Sequence, residues 1–282
     1  MKISIVTASY NYQDYIKETI QSVLDQTYSD WELIIVDDCS TDNSVDVIKS
    51  FNDERIKLFI NEKNLGLKET LKRGIENTTG EWIAFLESDD ILYNNYLEQK
   101  IKILKQYENL GLIFNNVELF GDNTKIKNIE DTILQKTQIL KLKKYPCNLF
   151  KELLDFNRIL TFSSVMVKKE YLLNCDFNTP TDKLLDWWLF IHFAREYEMY
   201  YIPEKLTKWR IHTNSYIYKK ETTYSYPINL LAYIDILKKE KKLELLKYII
   251  PVFISSWYRL KVGLFQHIKV KLGIPLRGTK EF

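Results

Sequence analysis

Cysteine is scarce in this sequence. Cys39, Cys147 and Cys175 are the three present, odd in number, far apart and in no CxxC pair. That excludes a disulfide framework or a structural zinc site and suits a reducing cytoplasm. Long apolar runs are also missing, with no stretch of about 18 residues that would cross a bilayer. The opening MKISIVTASY has a single lysine and then an alternating pattern, too short for a signal peptide. Charge of one sign is in little excess, with a net +2 over 282 residues. No helix-turn-helix, zinc-finger or RNA-binding signature occurs, so nucleic acid is set aside as a partner. Glycine-rich phosphate loops are absent too. No GxGxxG follows the first apolar run, and no GxxxxGK[ST] occurs anywhere, which argues against a dinucleotide or P-loop fold.

What is present is a globular composition, 45% hydrophobic and 28% charged, arranged in a regular alternation. KISIVTA, WELIIVDD, RIKLFI and EWIAFL read as strands. Between them lie helical stretches: Asp14 to Gln26, one opening at STDNSVDVIKSF with Ser40 or Thr41 as cap, and LKETLKRGIENT closed by Gly80. A further helix is expected from Tyr93 to Tyr107, then a strand at LGLIFNNVELF. Strands alternating with helices of ten to fifteen residues imply βαβ units and a mostly parallel sheet covered on both faces. From Gly121 to Lys144 the pattern dissolves into lysine-rich sequence with no clear period, read as a surface excursion. LTFSSVMVKK returns to strand, and TDKLLDWWLFIHFAREY is a helix apolar nearly all round, hence buried.

The tail from Tyr224 is helical and amphipathic, with an expected break near Pro251, and six Lys or Arg against one acid from Tyr258 onward. Two readings stand: a basic amphipathic segment on an anionic membrane surface, with Ile249, Phe253, Trp257 and Phe265 entering the acyl boundary, or a helical subdomain packed on the sheet.

Ligands of open α/β sheets sit beyond the carboxyl ends of the strands. There the sequence places TASYNY, then Asp37 and Asp38, then Glu87, Ser88, Asp89 and Asp90. Carboxylates so close repel and raise one another's pKa. A hard divalent ion such as Mn²⁺ or Mg²⁺, held by one or two of them with substrate phosphates in its other positions, would relieve that repulsion.

The stretches SIVTASYNYQDYIKETIQSVLDQTYSDWELIIVDDCSTDNS and NLGLKETLKRGIENTTGEWIAFLESDD resemble the donor-binding half of family 2 glycosyltransferases, which have the GT-A fold. The resemblance is continuous from about Lys2 to Tyr96. It implies that Asp38, or else Asp37, accepts the uracil N3–H of a UDP-sugar, with Thr7, Ala8 and Tyr10 lining the pocket and Tyr10 stacking on the base. ESDD stands where the family has its DxD motif. Asp89 would ligate Mn²⁺ or Mg²⁺ against the diphosphate, and Glu87, one methylene longer than the usual Asp, would meet the ribose or a metal-bound water, with Ser88 beside it. KLLDWWLFIHFA would supply the base Asp186, near the start of a helix capped by Thr181 or Asp182, although Leu185 replaces the first acid of the family's usual ED pair. KWRIHTNSY resembles the closing segment, so Arg210 and His212 would neutralise the leaving group or complete the metal shell, His212 being the candidate ligand, and Ser215 would add a hydrogen bond.

The resemblance thus implies an inverting, metal-dependent hexosyl- or N-acetylhexosaminyltransferase. Its acceptor would be a glycan or lipid-linked glycan of bacterial surface polysaccharide, lipooligosaccharide or teichoic-acid-like synthesis. Its expected location is the cytoplasm, with peripheral contact at the inner membrane surface. The expected organisation is a GT-A domain over 1–223, split into a nucleotide-sugar half (1–98) and an acceptor half (99–223), with a helical extension over 224–282. Two rivals are a sugar-nucleotide nucleotidyltransferase, whose Gly-rich N-terminal loop is missing from TASYNYQDY, and a non-catalytic glycan-binding relic, which would have no reason to keep Asp89 and Asp186.

Overall fold

A computed structural model describes residues 1–175, 177–179, 184–213, 228–240 and 243–257. Eight strands form one sheet: β1 (Ile3–Ser9), β2 (Trp31–Asp37), β3 (Ile56–Ile60), β4 (Trp82–Phe85), β5 (Ile91–Leu92), β6 (Leu110–Gly121), β7 (Val165–Lys168) and β8 (Glu198–Ile211), in the order β3-β2-β1-β4-β7-β6-β8-β5. The first four are mutually parallel. Strand β7 runs antiparallel to both β4 and β6, and β6 pairs in parallel with β8.

Side chains alternate across β1 and β2 with the period of two that a strand imposes. Ile3, Ile5, Leu33 and Ile35 face one layer, with helices α1 (Ile16–Leu24), α2 (Ser44–Lys49) and α4 (Tyr96–Leu104). Val6, Ile34 and Val36 face the other, with α3 (Leu67–Glu76), α6 (Phe150–Asp155), α8 (Leu185–Glu196) and α9 (Ile228–Glu240). Two covered faces explain why β1 and β2 read as almost unbroken apolar runs. Helix α8 buries eight of its twelve residues, from Leu185 to Ala194, as its all-round apolarity requires.

Several local expectations change. Neither Ser40 nor Thr41 caps α2: Ser40 is drawn to Asp37, and the Ser44 N–H is taken by Asp42 Oδ1 at 2.9 Å. Gly80 does not close α3, whose C-cap is Asn77. It lies pressed against β1, where an added Cβ would stand 2.7 Å from the Lys2 carbonyl. The excursion after Gly121 contains a 16-residue helix, α5 (Asn123–Gln138), capped by Asp122, which accepts from the N–H groups of Thr124 and Lys125. Its largely polar surface hid its period. LTFSSVMVKK yields a strand only over Val165–Lys168, followed by the short helix α7 (Lys169–Leu173).

The described part of the tail belongs to the same core. Ile228, Ala232, Tyr233, Ile236, Leu245 and Val252 are buried with α6 and α8. Pro251 does not break it: residues 249–257 are helical, with the proline in the first turn, where its missing N–H costs nothing. Thr181, Asp182, Ser215 and the basic stretch from Tyr258, Phe265 included, lie outside the described residues. Among the described residues no helix is long and apolar enough to cross a membrane.

Candidate active site

The carboxyl ends of β1, β2 and β4 meet at one edge because the strands are parallel and in register, Ser9 opposite Asp37 and Val6 opposite Phe85. The chain must turn there after β2, and two carboxylates build the turn. Asp37 is wholly buried and accepts from the Ser40 N–H at 2.8 Å and the Ser40 hydroxyl at 2.6 Å. Cys39 between them takes a positive φ of 65°, tolerated only because both sides of the turn are tied. Asp38 points the other way. Its Oδ1 accepts from the Asn61 amide and the Leu65 N–H, both at 2.8 Å, and its Oδ2 from the Gly66 N–H at 2.9 Å. Gly66 adopts a φ of 84° that suits glycine. A carboxylate has about four lone-pair directions, so Asp38 keeps one for a further donor and Asp37 serves the turn. Thr7 is buried with no partner on Oγ1, Ala8 is partly buried, and Tyr10 is 39% exposed at the strand's end.

After β4 the acids are held differently, by residues from distant segments. Glu87 is open to solvent yet enclosed by protein, as a group lining a cleft would be. Its N–H donates to Ser163 Oγ at 2.9 Å, and its carboxyl takes the Thr161 hydroxyl. The same Thr161 oxygen lies 3.2 Å from Asp90, which also accepts from the Arg210 N–H at 2.9 Å. Burial first, then the neighbouring Asp89 charge, pushes the Glu87 and Asp90 carboxyls well above the ordinary range. Ser88 is buried, and its carbonyl accepts from Thr19 Oγ1 at 3.1 Å.

Asp89 meets His212, with Oδ2 and Nε2 2.9 Å apart. Arg210 donates from Nε to the Asp89 carbonyl at 2.8 Å and from its far end to Glu18. Strand β8 therefore brings both residues of KWRIH onto the ESDD turn, 120 residues away. Tyr15 packs on the His212 ring at 4.5 Å between centroids, and the Arg210 guanidinium lies over Tyr15 and Phe120. Tyr12 is held protonated by burial and by the charges of Asp89, Glu87 and Asp90.

Asp186 stands in the first turn of α8, following Leu184 at a left-handed φ of 64°. Asn157 Nδ2 donates to its Oδ2 at 3.0 Å. Burial raises its pKa, opposed by the Trp187 N–H, Asn157 and the Lys136 charge. Its own charge adds, as the smallest of the contributions, to the rise of the Glu87 carboxyl. Sequence reasoning missed Tyr12, Tyr15, Glu18, Asn157, Thr161 and Ser163. TFSS ahead of an apolar run carried no sign that its hydroxyls reach back to β4. Lys100, fully buried on α4, braces the TFSS segment: its Nζ donates to the Ser164 carbonyl at 2.7 Å, and burial pulls its pKa well below the usual lysine range.

This sheet, with acids gathered at the carboxyl edge and a histidine returned to them, is the fold of GT-A glycosyltransferases. The chain belongs to the family described as Glycosyl transferase family 2, whose sequence model matches residues 4–170. Among its relatives is the putative teichuronic acid biosynthesis glycosyltransferase TuaG of Bacillus subtilis, 41% identical over 106 residues, 37% of this chain and 42% of that protein. Another is the Escherichia coli UDP-Glc:alpha-D-GlcNAc-diphosphoundecaprenol beta-1,3-glucosyltransferase WfgD, 34% identical over 169 residues, 60% of this chain and 66% of that one. The match thus spans less than two thirds of either relative's length. A similar solved structure is Staphylococcus aureus TarS 1-349 with UDP-GlcNAc, at a TM-score of 0.64 and 18% identity, covering 84% of this chain and 67% of that one.

Proposed function

We propose that this glycosyltransferase moves a sugar from a UDP-sugar to a hydroxyl of a lipid-linked glycan in surface-polysaccharide synthesis, by single displacement with inversion, at the cytoplasmic face of the membrane. The observation that supports the proposal is that His212 and Arg210 converge on Asp89 at the end of β4, with Asp186 near enough for its charge to act on Glu87. The UDP-linked donors in the names of WfgD and the TarS complex, and the diphosphoundecaprenol acceptor of WfgD, support the choice of donor and acceptor.

Asp38 reads the base, accepting the uracil N3–H on its remaining lone pair. Tyr10, exposed beside it, covers the ring, and Thr7 and Ala8 form the pocket wall. The donor set also fits a divalent ion. Among the described residues no group of three or more His, Cys, Asp or Glu is arranged to hold a metal by itself. Asp89 and His212 offer two ligands, which suits Mn²⁺ or Mg²⁺ completed by diphosphate oxygens. Bound there, the ion would supply positive charge against the leaving diphosphate.

Asp186 takes the proton from the acceptor hydroxyl as that oxygen bonds to the anomeric carbon. The bond from that carbon to the β-phosphate oxygen breaks, and its electron pair leaves with UDP. Arg210 adds a fixed positive charge near the departing group. Burial that raises the Asp186 pKa brings it nearer to working pH, where a general base is most effective. The test is a panel of nucleotide sugars assayed for hydrolysis and for protection against thermal unfolding, with and without Mn²⁺. Protection by UDP-sugars that strengthens with Mn²⁺ is expected. Indifference to every nucleotide sugar would overturn the reading.

A further inference from the structure

Helix 249–257 has two unlike faces. Val252 and Ser256 are 1% exposed. They lock onto α9 through the buried Asn229, which donates to Ser255 Oγ at 2.9 Å and accepts from Ser256 Oγ at 3.1 Å. Asn229 also donates to the Leu154 carbonyl at 2.9 Å, tying the pair to α6. The opposite face carries Ile250, Phe253, Ile254 and Trp257, 68%, 59%, 62% and 62% exposed. Their spacing of three, four and seven residues sets them in one stripe, and the Phe253 and Trp257 rings stack at 6.4 Å. Four large apolar side chains together, on a helix already anchored by its other face, mark a docking surface and not an unfinished core.

The charge around this stripe selects its occupant. Residues 224–282 hold eleven Lys or Arg and four Asp or Glu, a net +7, while the rest of the chain has 29 against 34, a net −5. Exposed Lys247 lies two residues before the helix and lines a hollow with Arg195, Asn148 and Tyr248. Arg195 there is paired with Glu240, and the Asn148 amide with the Ala194 carbonyl, so Lys247 is the cation the hollow offers a phosphate. An apolar stripe with an indole at one end, inside a basic C-terminal fifth of a chain whose remainder is net acidic, fits an anionic phospholipid surface.

We infer that the face Ile250–Phe253–Ile254–Trp257 docks this enzyme on an anionic bilayer, the tail being at once packed on the catalytic domain and bound to lipid. The inference deepens the membrane association proposed above and does not depend on the donor or acceptor identity. Packing and membrane binding, alternatives on the sequence alone, use opposite faces of one helix. Because α9 packs on α8, whose first turn carries Asp186, docking would set the acceptor half against the bilayer that holds a lipid-linked substrate.

The full chain is floated with phosphatidylglycerol-containing and with pure phosphatidylcholine vesicles at rising salt. A variant carrying Ile250→Ser, Phe253→Ser, Ile254→Ser and Trp257→Ser is compared, together with single Trp257→Ser as a milder change. Binding to the anionic vesicles at low salt is expected, weakening as salt screens it and falling at least tenfold in the fourfold variant and severalfold in the single one. Thermal unfolding and UDP protection should be unchanged, since the altered side chains already face solvent. No binding by the parent protein would overturn the inference, as would full binding by both variants. A parent dimer that the serines dissociate, with no vesicle binding, would overturn it in favour of a second copy as the occupant. Vesicle binding by a protein that ignores all nucleotide sugars would support it while counting against the donor reading.

Discussion

The two ends of the sheet treat a carboxylate in opposite ways. At the amino end, Glu32 on β2 is 1% exposed, and burial alone would raise its pKa. Bonds from Ser4 Oγ at 2.7 Å, Lys57 Nζ at 2.9 Å and Thr79 outweigh that and bring it down to about 2. At the carboxyl end Asp90 is likewise buried and Glu87 is not, yet the charge that acts most strongly on both is another carboxylate, Asp89, and both lie against one threonine hydroxyl. One end completes its acids with its own cation and hydroxyls. The other leaves them short of positive charge. The first arrangement holds strands together, and the second is the one to which the proposed function assigns a ligand.

The contrast predicts a double dissociation, and its activity arm is the largest effect. Asp186→Asn should cut transfer by at least about a hundredfold, the low end for a general base, with UDP affinity and thermal stability nearly unchanged in calorimetry and unfolding scans. A collapse of donor affinity would make Asp186 a binding or structural residue and blur the two ends.

Asp38 sharpens the comparison because it both holds a loop and, on this account, reads a base. A buried acceptor facing the unprotonated N3 of cytosine costs roughly 1–3 kcal/mol. UDP should therefore bind at least about tenfold more tightly than CDP in titration calorimetry. Equal affinities for UDP, TDP, CDP and GDP would reduce Asp38 to a purely structural role.

For the stability arm, Glu32→Gln should cost about 1–3 kcal/mol, at about 2–4 °C in melting temperature per kcal/mol for a chain of this size, while sparing kcat. Glu32 has a folded pKa below its unfolded one. Its contribution is therefore present above roughly pH 4.5 and lost as pH falls towards 2, and the variant should lose part of the parent's acid sensitivity.

The smallest effect has the opposite sign. Glu87 and Asp90 keep protons in the folded, metal-free protein that the unfolded chain releases above about pH 4. Stability should therefore decline as pH rises from about 5 into the neutral range. Mn²⁺ with UDP should flatten that slope, as should Glu87→Gln. A metal-free melting temperature that climbs through this window would contradict the reading of the carboxyl end.

The comparison also explains what was legible in the sequence. The first hundred residues alternate strand and helix, so local pattern puts Asp37, Asp38 and Asp89 at strand ends, while the roles proposed for them come from the family resemblance. Asp186 is singled out by the family resemblance and not by pattern, since an acid at a helix start is ordinary on its own. The partners of these acids were not legible. Thr161, Ser163 and Asn157 are neutral residues whose role comes from β7 lying antiparallel beside β4 and from the loop after α6 reaching α8, pairings that no local period announces. Helix α5 was missed because its few apolar positions touch only the margin of the core. The tail's apolar stripe was visible, but Pro251 was read as a break, and only the buried opposite face shows how the helix is anchored.

The central claim is that Asp89 and its partners hold a donor diphosphate through a divalent ion. Titration calorimetry of UDP against the parent and Asp89→Asn, each with Mn²⁺ and with EDTA, tests it most directly. The account predicts that Mn²⁺ strengthens UDP binding to the parent by at least about tenfold and leaves the Asn variant at the weaker, EDTA-like affinity. Metal-independent UDP binding by the parent, or an equal Mn²⁺ effect in the variant, would contradict it.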